Sequence, residues 1–579
     1  MWEDIYFVKQ AASCESFAKQ LLGKTYDVDY PRIVGVRLSG APRNNVGAMD
    51  VALALIKAVF DSGYVKNSVM EFIGEGIASL SADFRIGIDV MTTETACLSS
   101  IWTTDETIRE FYKTHGREED FAELCEPENA YYDGFIEVDL SKITPMIALP
   151  FHPSNVYTID ELNANLSDVL NTVEKTAKEQ LSSGINFQLS DKITDKGLRV
   201  DQCVIAGCAG GTFENINAAY DILKLANVPV ELDVYPASMP ISNALMASGA
   251  AGGLTSFGAT FRTAFCGPCF GAGNVPANGA LSIRHATRNF PNREGSKPSD
   301  GQISSVALMD AKSIAATASN GGILTPAPDI EYPKHNYTYN SDIYRRKVYN
   351  GIGKPQPEEN LVFGPNIADW PAMPALPQNL LLRVSAFITD PVTTTDELIP
   401  SGETSSYRSN PLRLAEFTLS RKDPEYVGRA KAVWADFEVF KKDGTLPAGV
   451  QLDISPENTG IGAVLYAMKP GDGSAREQAA SCQKVLGTWA NIAREYATKR
   501  YRSNLINWGM IPFLLKDTPE FGLNDYIFIP NVLDAVQNGE GEVSATLLNT
   551  NSKITMQIAE MTEDERKIIL AGCLINYYR

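Results

Sequence analysis

The sequence lacks any long uninterrupted apolar run, which excludes a membrane-spanning helix because such a helix needs roughly 20 apolar residues. Its amino end, MWEDIYFVKQ, carries acidic residues early and has no apolar run of the length that a signal peptide requires. Positive charge is outnumbered, since 51 Lys and Arg face 70 Asp and Glu, and the formal net charge of −19 disfavours non-specific binding to nucleic acid. We therefore expect a cytoplasmic protein whose partner is neither a membrane nor a nucleic acid.

Histidines are few, and the cysteines do not form a regular framework. The 579 residues include four histidines, and the nine cysteines are an odd number scattered along the chain, so a set of disulfides is not expected. Any cluster of cysteines is therefore a candidate for metal binding or catalysis. The apolar and charged fractions are those of globular proteins, and the length exceeds what one hydrophobic core organises, so several domains are expected.

Strands and helices alternate along the first half of the chain. In YPRIVGVRLSGAP, Val34, Val36 and Leu38 alternate as in a strand, and the following NNVGAMDVALALIKAVFDSG has apolar residues at helical spacing. LRVDQCVIAGC predicts another strand that runs into a turn, and TFENINAAYDILKLAN predicts the helix after it. This alternation is typical of α/β domains built on parallel sheets.

Proline and glycine mark the predicted domain boundaries. MIALPFHPSN ends a first region near residue 150, and a stretch rich in Pro, Asn and Gly separates the second region from the last one. NLLLRVSAFI then predicts the first strand of the last region. We expect α/β domains over 31–150 and 151–345, a linker over 346–380 and a carboxy-terminal domain over 381–579.

Three cysteines stand at glycine-rich turns. Cys208 follows a predicted strand in AGCAGG, and Cys266 and Cys269 form a C-x-x-C motif in TAFCGPCFGAG. Two thiolates at that spacing can bind one metal centre with a third from another loop, and the glycines would let backbone N–H groups approach inorganic sulfides. A zinc site or buried thiols is the alternative, although no fourth Cys or His is spaced to complete a zinc site. The pattern favours an iron–sulfur cluster with one iron open for hydration chemistry.

Arginines follow the C-x-x-C motif. IRHATRNFPNREGSKP contains Arg288 and Arg293, with Asn289 directly after the first. Guanidinium groups pair with carboxylates through two parallel hydrogen bonds, which suits a small di- or tricarboxylic acid as substrate. Surface arginines in a loop are the alternative for either one taken alone.

Together these motifs resemble the aconitase family of hydro-lyases. The likeness rests on AGCAGGTFENI, FCGPCFGAG, RNFPNREGSKP, ASNGGIL, GEGIASLSADFRIGIDVMTTET, DPVTTTDELIPSG and GDGSAREQAASCQKVLG. It implies an α/β fold of aconitase-like three-layer α/β/α domains with a carboxy-terminal swivelling β/α domain. It also implies a [4Fe-4S] hydro-lyase that acts on a hydroxylated di- or tricarboxylic acid, most similar to bacterial hydratases of the family.

The resemblance assigns roles to individual residues. Cys208, Cys266 and Cys269 match the cluster ligands, Ser474 matches the catalytic base, and Glu94 matches an acid in the cluster pocket. The residues that match the substrate-binding positions are Arg288, Asn289, Arg293, Arg408 and Arg476. A serine before AREQAA is also a common helix N-cap, so the catalytic role of Ser474 depends on the resemblance.

Several positions depart from the family pattern. Val90, Thr287, Glu397 and Ala475 replace pocket residues, so we expect altered substrate contacts and a substrate other than citrate. Most of the family's first domain has no counterpart, and residues 1–30 resemble a remnant of it. We therefore expect a second chain or segment that supplies this domain as a partner. A non-enzymatic iron–sulfur sensor or an inactive protein of the same fold is the alternative function.

Overall fold

The computed structural model describes residues 23, 30–181, 186–226, 232–297, 301–400, 404–473 and 475–578. The described chain divides into two compact units, with the boundary between Pro355 and Gln356. The predicted remnant over 1–30 lies almost wholly outside the described residues. None of the described helices combines the length and the apolar character needed to span a membrane.

A four-stranded parallel sheet forms the beginning of the first unit, in the strand order β3-β2-β1-β4. Its elements are β1 (Ile33–Ser39), α1 (Ala48–Val59), β2 (Val69–Ile73), α2 (Ala82–Met91), β3 (Ser99–Trp102), α3 (Glu106–Thr114) and β4 (Gly134–Asp139). In β1, Val34, Val36 and Leu38 are fully buried, as their alternation predicts.

A seven-stranded sheet follows, in the order β11-β10-β9-β12-β13-β5-β6, with parallel pairing from β11 to β13 and antiparallel pairing beyond. Its strands are β5 (Met146–Ala148), β6 (Val156–Thr158), β9 (Gln202–Ile205), β10 (Leu232–Val234), β11 (Thr260–Phe261), β12 (Leu281–His285) and β13 (Ser305–Met309), and a small hairpin adds β7 (Ile193–Thr194) and β8 (Gly197–Leu198). Strands β5 and β6 lie on either side of residue 150 and belong to this one sheet.

The helices of this second sheet follow its strands in sequence, as the alternating pattern predicts. They are α4 (Ile159–Ala164), α5 (Leu166–Gln180), α6 (Gly207–Gly210), α7 (Phe213–Leu223), α8 (Met239–Ala247), α9 (Ala250–Ser256), α10 (Ala311–Ser319) and α11 (Asp342–Arg345). Helices α5, α7 and α10 pack on one face of the sheet and form the largest core of the unit with it.

Helix α1 lies between the two sheets and is buried on both sides. Val51 and Leu55 pack in the core of the four-stranded sheet. Leu53 and Ile56 pack instead with residues of β5, β6 and β13 in the seven-stranded sheet. A helix that is apolar on all sides suits such a central position. The seven-stranded sheet therefore has helices on both faces, which is the predicted three-layer α/β/α arrangement.

The second unit is built on a closed barrel of seven strands, in the order β14-β16-β18-β19-β22-β21-β20. Pairing is parallel from β14 through β16 and β18 to β19, and antiparallel around the rest of the barrel. The strands of the unit are β14 (Asn379–Ile388), β15 (Thr393–Thr394), β16 (Thr459–Ala467), β17 (Pro470–Asp472), β18 (Thr488–Ala493), β19 (Ile511–Leu514), β20 (Tyr526–Ile529), β21 (Glu542–Leu547) and β22 (Ser552–Ile558).

Helices cover the barrel from outside. They are α12 (Thr395–Leu398), α13 (Pro411–Ala415), α14 (Tyr426–Asp443), α15 (Arg476–Val485), α16 (Lys499–Asn507), α17 (Val532–Asn538), α18 (Glu563–Ala571) and α19 (Leu574–Tyr577). Strand β16 is buried along its whole length, as expected for a strand covered on both faces. The α/β class predicted from the sequence is confirmed in both units.

Candidate active site

Cys208 lies in α6, a single helical turn that follows β9 at the carboxyl edge of the seven-stranded sheet. Gly207 precedes it in a left-handed backbone conformation, with a φ of +73°. A Cβ on Gly207 would lie 2.8 Å from the Sγ of Cys269. A side chain at Gly207 would therefore strain the backbone and displace a predicted ligand. The turn thus places Cys208 beside the C-x-x-C loop.

Two further glycines determine how this turn lies on the sheet. A Cβ on Gly210 would lie closer than 3.0 Å to the carbonyl oxygen of His285, at the end of β12. A Cβ on Gly211 would lie equally close to the carbonyl oxygen of Tyr235, just after β10. Strand backbone cannot move away without cost, so both positions require glycine. We expected these glycines to admit inorganic sulfides, and the structure gives them a packing role.

The C-x-x-C motif forms one turn of 3₁₀ helix over Gly267–Cys269. The backbone N–H of Cys269 donates to the carbonyl of Cys266 at 3.1 Å. Cys269 is buried, whereas Cys266 is exposed. The turn therefore presents two thiols on one short loop, one facing protein and one facing solvent.

The three thiols are close enough to change one another's pKa. A hydrogen bond with the Cys269 thiol lowers the pKa of Cys266 to about 6, and the charge of Arg293 acts in the same direction. The same hydrogen bond, followed by burial, raises the pKa of Cys269 above its usual range. Protein atoms that exclude water around Cys208 raise its pKa, and the neighbouring Cys266 raises it further. The three predicted ligands thus form one cluster of thiols.

The two predicted arginines of the first unit lie beside this thiol cluster. The Nε of Arg288 donates to Oε1 of Glu94 at 2.8 Å, and Glu94 is buried in the 3₁₀ turn Thr92–Thr95 after α2. The Nε of Arg293 donates to the carbonyl oxygen of Cys269 at 3.1 Å. Burial, and then the positive charge of Arg288, lower the pKa of Arg293. The structure therefore brings Glu94 and both arginines together with the C-x-x-C loop.

Asn289 is fully buried and bonds to the backbone of the neighbouring strand region. Its Nδ2 donates to the carbonyl oxygen of Leu149 at 2.9 Å and to that of Ala148 at 3.2 Å. These bonds tie the arginine loop to the end of β5. The structure thus gives Asn289 a supporting role, and its contact with substrate stays a prediction.

The other predicted site residues belong to the second unit. Arg408 is exposed and follows the 3₁₀ turn Ser405–Tyr407. Arg476 is the first residue of α15, and burial, followed by the charge of Arg500, lowers its pKa. Ser474, the predicted base, lies outside the described residues.

Glu397, one of the departures from the family pattern, caps α12. Its Oε2 accepts the N–H of Thr394 at 2.7 Å, and the hydroxyl of Thr394 accepts the N–H of Glu397 at 3.2 Å. Its Oε1 also accepts a hydrogen bond from Lys422 at 3.3 Å. This reciprocal pair is a capping box, so Glu397 stabilises the start of the helix.

A cavity of about 750 Å³ borders Cys208 between α2, α3 and the beginning of α7. Its wall includes Asp83 and Glu214, each of which bonds to the beginning of the other's helix. Asp83 Oδ2 accepts the N–H of Glu214 at 3.0 Å, and Glu214 Oε2 accepts the hydroxyl of Ser81 at 2.5 Å. None of the predicted arginines lines this cavity. A carboxylate ligand is therefore expected on the arginine side of Cys208, away from these acids.

The three thiols differ in their suitability for a single metal ion and for an iron–sulfur cluster. In the part of the chain that the structure describes, no three His, Cys, Asp or Glu side chains surround a position for a single metal ion. A [4Fe-4S] cluster does not need that arrangement, because each thiolate binds a different iron. Three neighbouring thiols, with no side chain on Gly207 against Cys269, are a donor set that such a cluster can use.

Sequence reasoning missed two residues of β12. Arg284 and His285 are both buried, and His285 Nδ1 accepts the N–H of Ala311 at 2.9 Å. Arg284 donates to the C-x-x-C loop, where the carbonyl oxygen of Pro268 is its partner at 2.6 Å. The available signal was a basic pair that ends a short apolar strand, LSIRH, because charged side chains are rarely buried without dedicated partners.

The model of the aconitase family (aconitate hydratase) matches residues 14–316. The chain is 28% identical over 306 residues to the 3-isopropylmalate dehydratase large subunit 2 of Rubrobacter xylanophilus, which covers 52% of this chain and 63% of that protein. It is 25% identical over 517 residues to the mitochondrial homoaconitase of Cryptococcus neoformans, which covers 85% of this chain and 64% of that protein.

The chain is also similar to another dehydratase large subunit and to a solved dehydratase structure. The 2,3-dimethylmalate dehydratase large subunit of Eubacterium barkeri is 28% identical over 299 residues, covering 51% of this chain and 62% of that protein. A solved 3-isopropylmalate dehydratase structure from Methanocaldococcus jannaschii covers 34% of this chain and 93% of its own, with 24% identity and a TM-score of 0.23. The chain spans less than two thirds of the length of the curated relatives named here.

Proposed function

This chain belongs to the aconitase family, and from that premise we propose that it is a [4Fe-4S] hydro-lyase for a small hydroxylated di- or tricarboxylic acid. The observation that carries the proposal is the thiol cluster of Cys208, Cys266 and Cys269, with Arg288 and Arg293 beside it. These thiols lie at the carboxyl edge of a mainly parallel sheet, where open α/β sheets bind their ligands. The names of the relatives support the substrate class, since isopropylmalate and dimethylmalate are hydroxylated dicarboxylic acids.

We assign the three thiols as ligands of three irons of the cluster. When bound, such a cluster supplies a Lewis acid at its fourth iron for oxygen atoms of the substrate. The protein's own contribution is to hold the two ligand loops against each other. Gly207 allows contact with Cys269, and Arg293 holds the Cys269 carbonyl.

Arg288 and Arg293 are assigned to the carboxylates of the substrate. Glu94 accepts a hydrogen bond from Nε of Arg288, which orients the guanidinium group. Among the described residues, the two Nη groups of Arg288 have no hydrogen-bond acceptor. Such a pair of donors matches the two oxygens of a carboxylate, whose negative charge would also offset the repulsion between the two arginines.

In the second unit, we assign Ser474 as the base and Arg408 and Arg476 to substrate carboxylates, on the resemblance of GDGSARE and SSYRSNP to the family motifs. A serine alkoxide must be stabilised before it can accept a proton from carbon. Helix α15 begins at Arg476, two residues after Ser474. A helix N-terminus and a guanidinium group both carry positive potential, so in this proposal they would stabilise the alkoxide.

We further propose that the active protein includes a second chain or segment. The relatives in Rubrobacter xylanophilus and Eubacterium barkeri are both named as large subunits. The family's first-domain motifs with paired Asp and His are absent from these 579 residues. A partner that supplies them would provide the acid that protonates the departing hydroxyl, a contribution of about 10²–10⁴-fold in rate.

The first experiment is anaerobic reconstitution with iron and sulfide. We expect the wild-type chain to take up a brown cluster and Cys269→Ser to lose it, because serine does not replace the thiolate. Cys125→Ser is the matched control, since Cys125 is exposed and outside the thiol cluster. Equal iron and sulfide contents in Cys269→Ser and wild type would contradict the cluster assignment.

The second experiment tests turnover separately from cluster binding. The reconstituted protein is offered 3-isopropylmalate and 2,3-dimethylmalate, among other hydroxy acids, and the ultraviolet absorbance of the enoate product is followed. Dehydration of one of these acids supports the hydro-lyase. A stable cluster with no dehydration of any hydroxy acid, also in the presence of the partner chain, would favour the non-enzymatic alternative.

A further inference from the structure

Arg284 is a charged residue next to the end of the buried strand β12. Every residue of β12 is buried, and Arg284 is 1% exposed. Removing a guanidinium group from water is costly unless its N–H groups find acceptors. The position of its acceptors therefore shows what the side chain does.

The Arg284 guanidinium joins its own sheet to the C-x-x-C loop. Within the sheet, Nε donates to the hydroxyl of Ser282 at 2.9 Å, and Nη2 donates to Oε1 of Gln202 at 3.0 Å. In the loop, Nη1 donates to the carbonyl oxygen of Pro268 at 2.6 Å, and Nη2 donates to that of Asn274 at 2.5 Å. One rigid side chain thus holds the loop at two points six residues apart.

The positive charge of Arg284 is not neutralised by an ion pair among the described residues. Glu294 is the acid that acts on it electrostatically, but its Oε1 accepts hydrogen bonds from Ser296 and Ser304. Burial lowers the pKa of Arg284 to about 10, so the group still carries its charge at neutral pH. Cys269 also interacts electrostatically with this charge. The loop thus has a buried positive charge behind its thiols.

We propose that Arg284 is a positioning residue for the cluster: it fixes the C-x-x-C loop from behind and places a permanent positive charge next to an anionic centre. This inference rests on the proposed function, because it concerns the cluster assigned there. It goes beyond that function by naming what holds the two neighbouring ligands in place. Lysine cannot take over the role, since a single ammonium group does not reach both carbonyls in the geometry of a planar fork.

The first test uses the apo chain and needs no cluster. Buried Cys269 is alkylated with iodoacetamide, and its labelling rate is compared with that of exposed Cys125 by mass spectrometry. Losing two charge-assisted bonds should raise Cys269 labelling by about tenfold or more in Arg284→Met, and by less in Arg284→Lys. Arg199→Met is the control, because Arg199 is an exposed arginine that pairs with Asp201 just before β9.

The second test uses the reconstituted protein. We expect Arg284→Met to lose its cluster absorbance in air about tenfold faster than wild type, with Arg284→Lys between them. The electron paramagnetic resonance spectrum of the reduced cluster should also change in Arg284→Met, since the buried charge beside it is gone. A role in general folding alone would leave this spectrum unchanged. Far-ultraviolet circular dichroism checks that the variants fold, and Arg284→Lys serves if Arg284→Met does not.

The outcomes separate this inference from the proposed function. If folded Arg284 variants match wild type in Cys269 labelling, cluster loss and spectrum, the inference is overturned while the cluster stands. If the wild-type chain takes up no cluster, the proposed function fails, and with it the role of Arg284 toward a cluster. The inference is supported if Cys269 is labelled faster in Arg284→Met but not in Arg199→Met, and if Arg284→Met also loses its cluster faster than wild type.

Discussion

The two loops that carry the predicted ligands are held against the rest of the unit in different ways. The Cys208 turn depends on side chains that are absent, since a Cβ on Gly207, Gly210 or Gly211 would meet atoms of neighbouring strands or of Cys269. The C-x-x-C loop also has glycines with close neighbours, Gly267 and Gly271, but it is tied to the sheet and to the arginine loop by side chains that are present, because arginines bond to its carbonyl groups. Steric contact with strand backbone leaves no room for adjustment, whereas a hydrogen bond can weaken gradually. A side chain added to the Cys208 turn should therefore destabilise the fold, whereas loss of an arginine should loosen only the C-x-x-C loop.

The largest effect should come from Gly210→Ala. Its Cβ would overlap the carbonyl oxygen of His285 in β12, so the turn or the strand must shift, at a cost of roughly 3 kcal/mol. The measurement is the urea midpoint of the transition in which the first unit unfolds. Gly252→Ala in α9 is the matched control, because a Cβ there has no neighbour within 4 Å and should be neutral or stabilising. Similar midpoints for Gly210→Ala and Gly252→Ala would break the comparison.

Arg288 sharpens the comparison because it is an arginine beside both loops whose described hydrogen bond goes to Glu94. A double-mutant cycle of Arg288→Met and Glu94→Gln should give a coupling energy of about 1.5 kcal/mol. Labelling of Cys269 in the apo chain should stay close to wild type in Arg288→Met, unlike in the Arg284 variants. A large rise in labelling would mean that every arginine of this region holds the loop.

The smallest effect is on the pH dependence of stability. It concerns His285, at the end of β12, against which the Cys208 turn packs. Burial lowers the pKa of His285, whose Nδ1 accepts the N–H of Ala311. The neutral ring therefore stabilises the fold above its ordinary pKa of about 6.5, and this contribution is lost as the pH falls below that value. Wild type should lose about 1 kcal/mol more than His285→Asn between about pH 7 and about pH 5.5.

The measurement for His285 is the urea midpoint at several pH values. Asparagine can keep the acceptor for Ala311 without the titration, so the slopes and not the absolute stabilities are compared. Equal pH dependence in wild type and His285→Asn would show that His285 does not contribute to acid sensitivity.

The sequence predicted the local elements well because their signals are local. The alternation in β1 and the apolar spacing in α1 appear in the structure as buried faces. The thiol cluster and the arginines beside it were also predicted, since the residue types at those spacings carry chemical meaning. Arg284 was missed because its partners in the loop are backbone carbonyls, which leave no mark in a sequence.

Asn289 and α1 show a second limit of sequence reasoning. The position of Asn289 in the arginine motif suggested a ligand contact, but its burial against the end of β5 depends on a strand that is distant in sequence. The periodicity of α1 likewise shows that the helix is apolar and does not show which sheets cover it. Both features arise from long-range packing that a single sequence does not record.

The position of α1 has a consequence for how the first unit folds. The four-stranded sheet needs Val51 and Leu55 to complete its core, and the seven-stranded sheet needs Leu53 and Ile56 of the same helix. Neither sheet can open without uncovering one side of a helix that the other still requires. The two sheets therefore share one cooperative transition, although each has its own topology. If the chain were cut near residue 150, each piece would expose the apolar surface that the other piece covers. Neither region could therefore be transferred to another protein without the other.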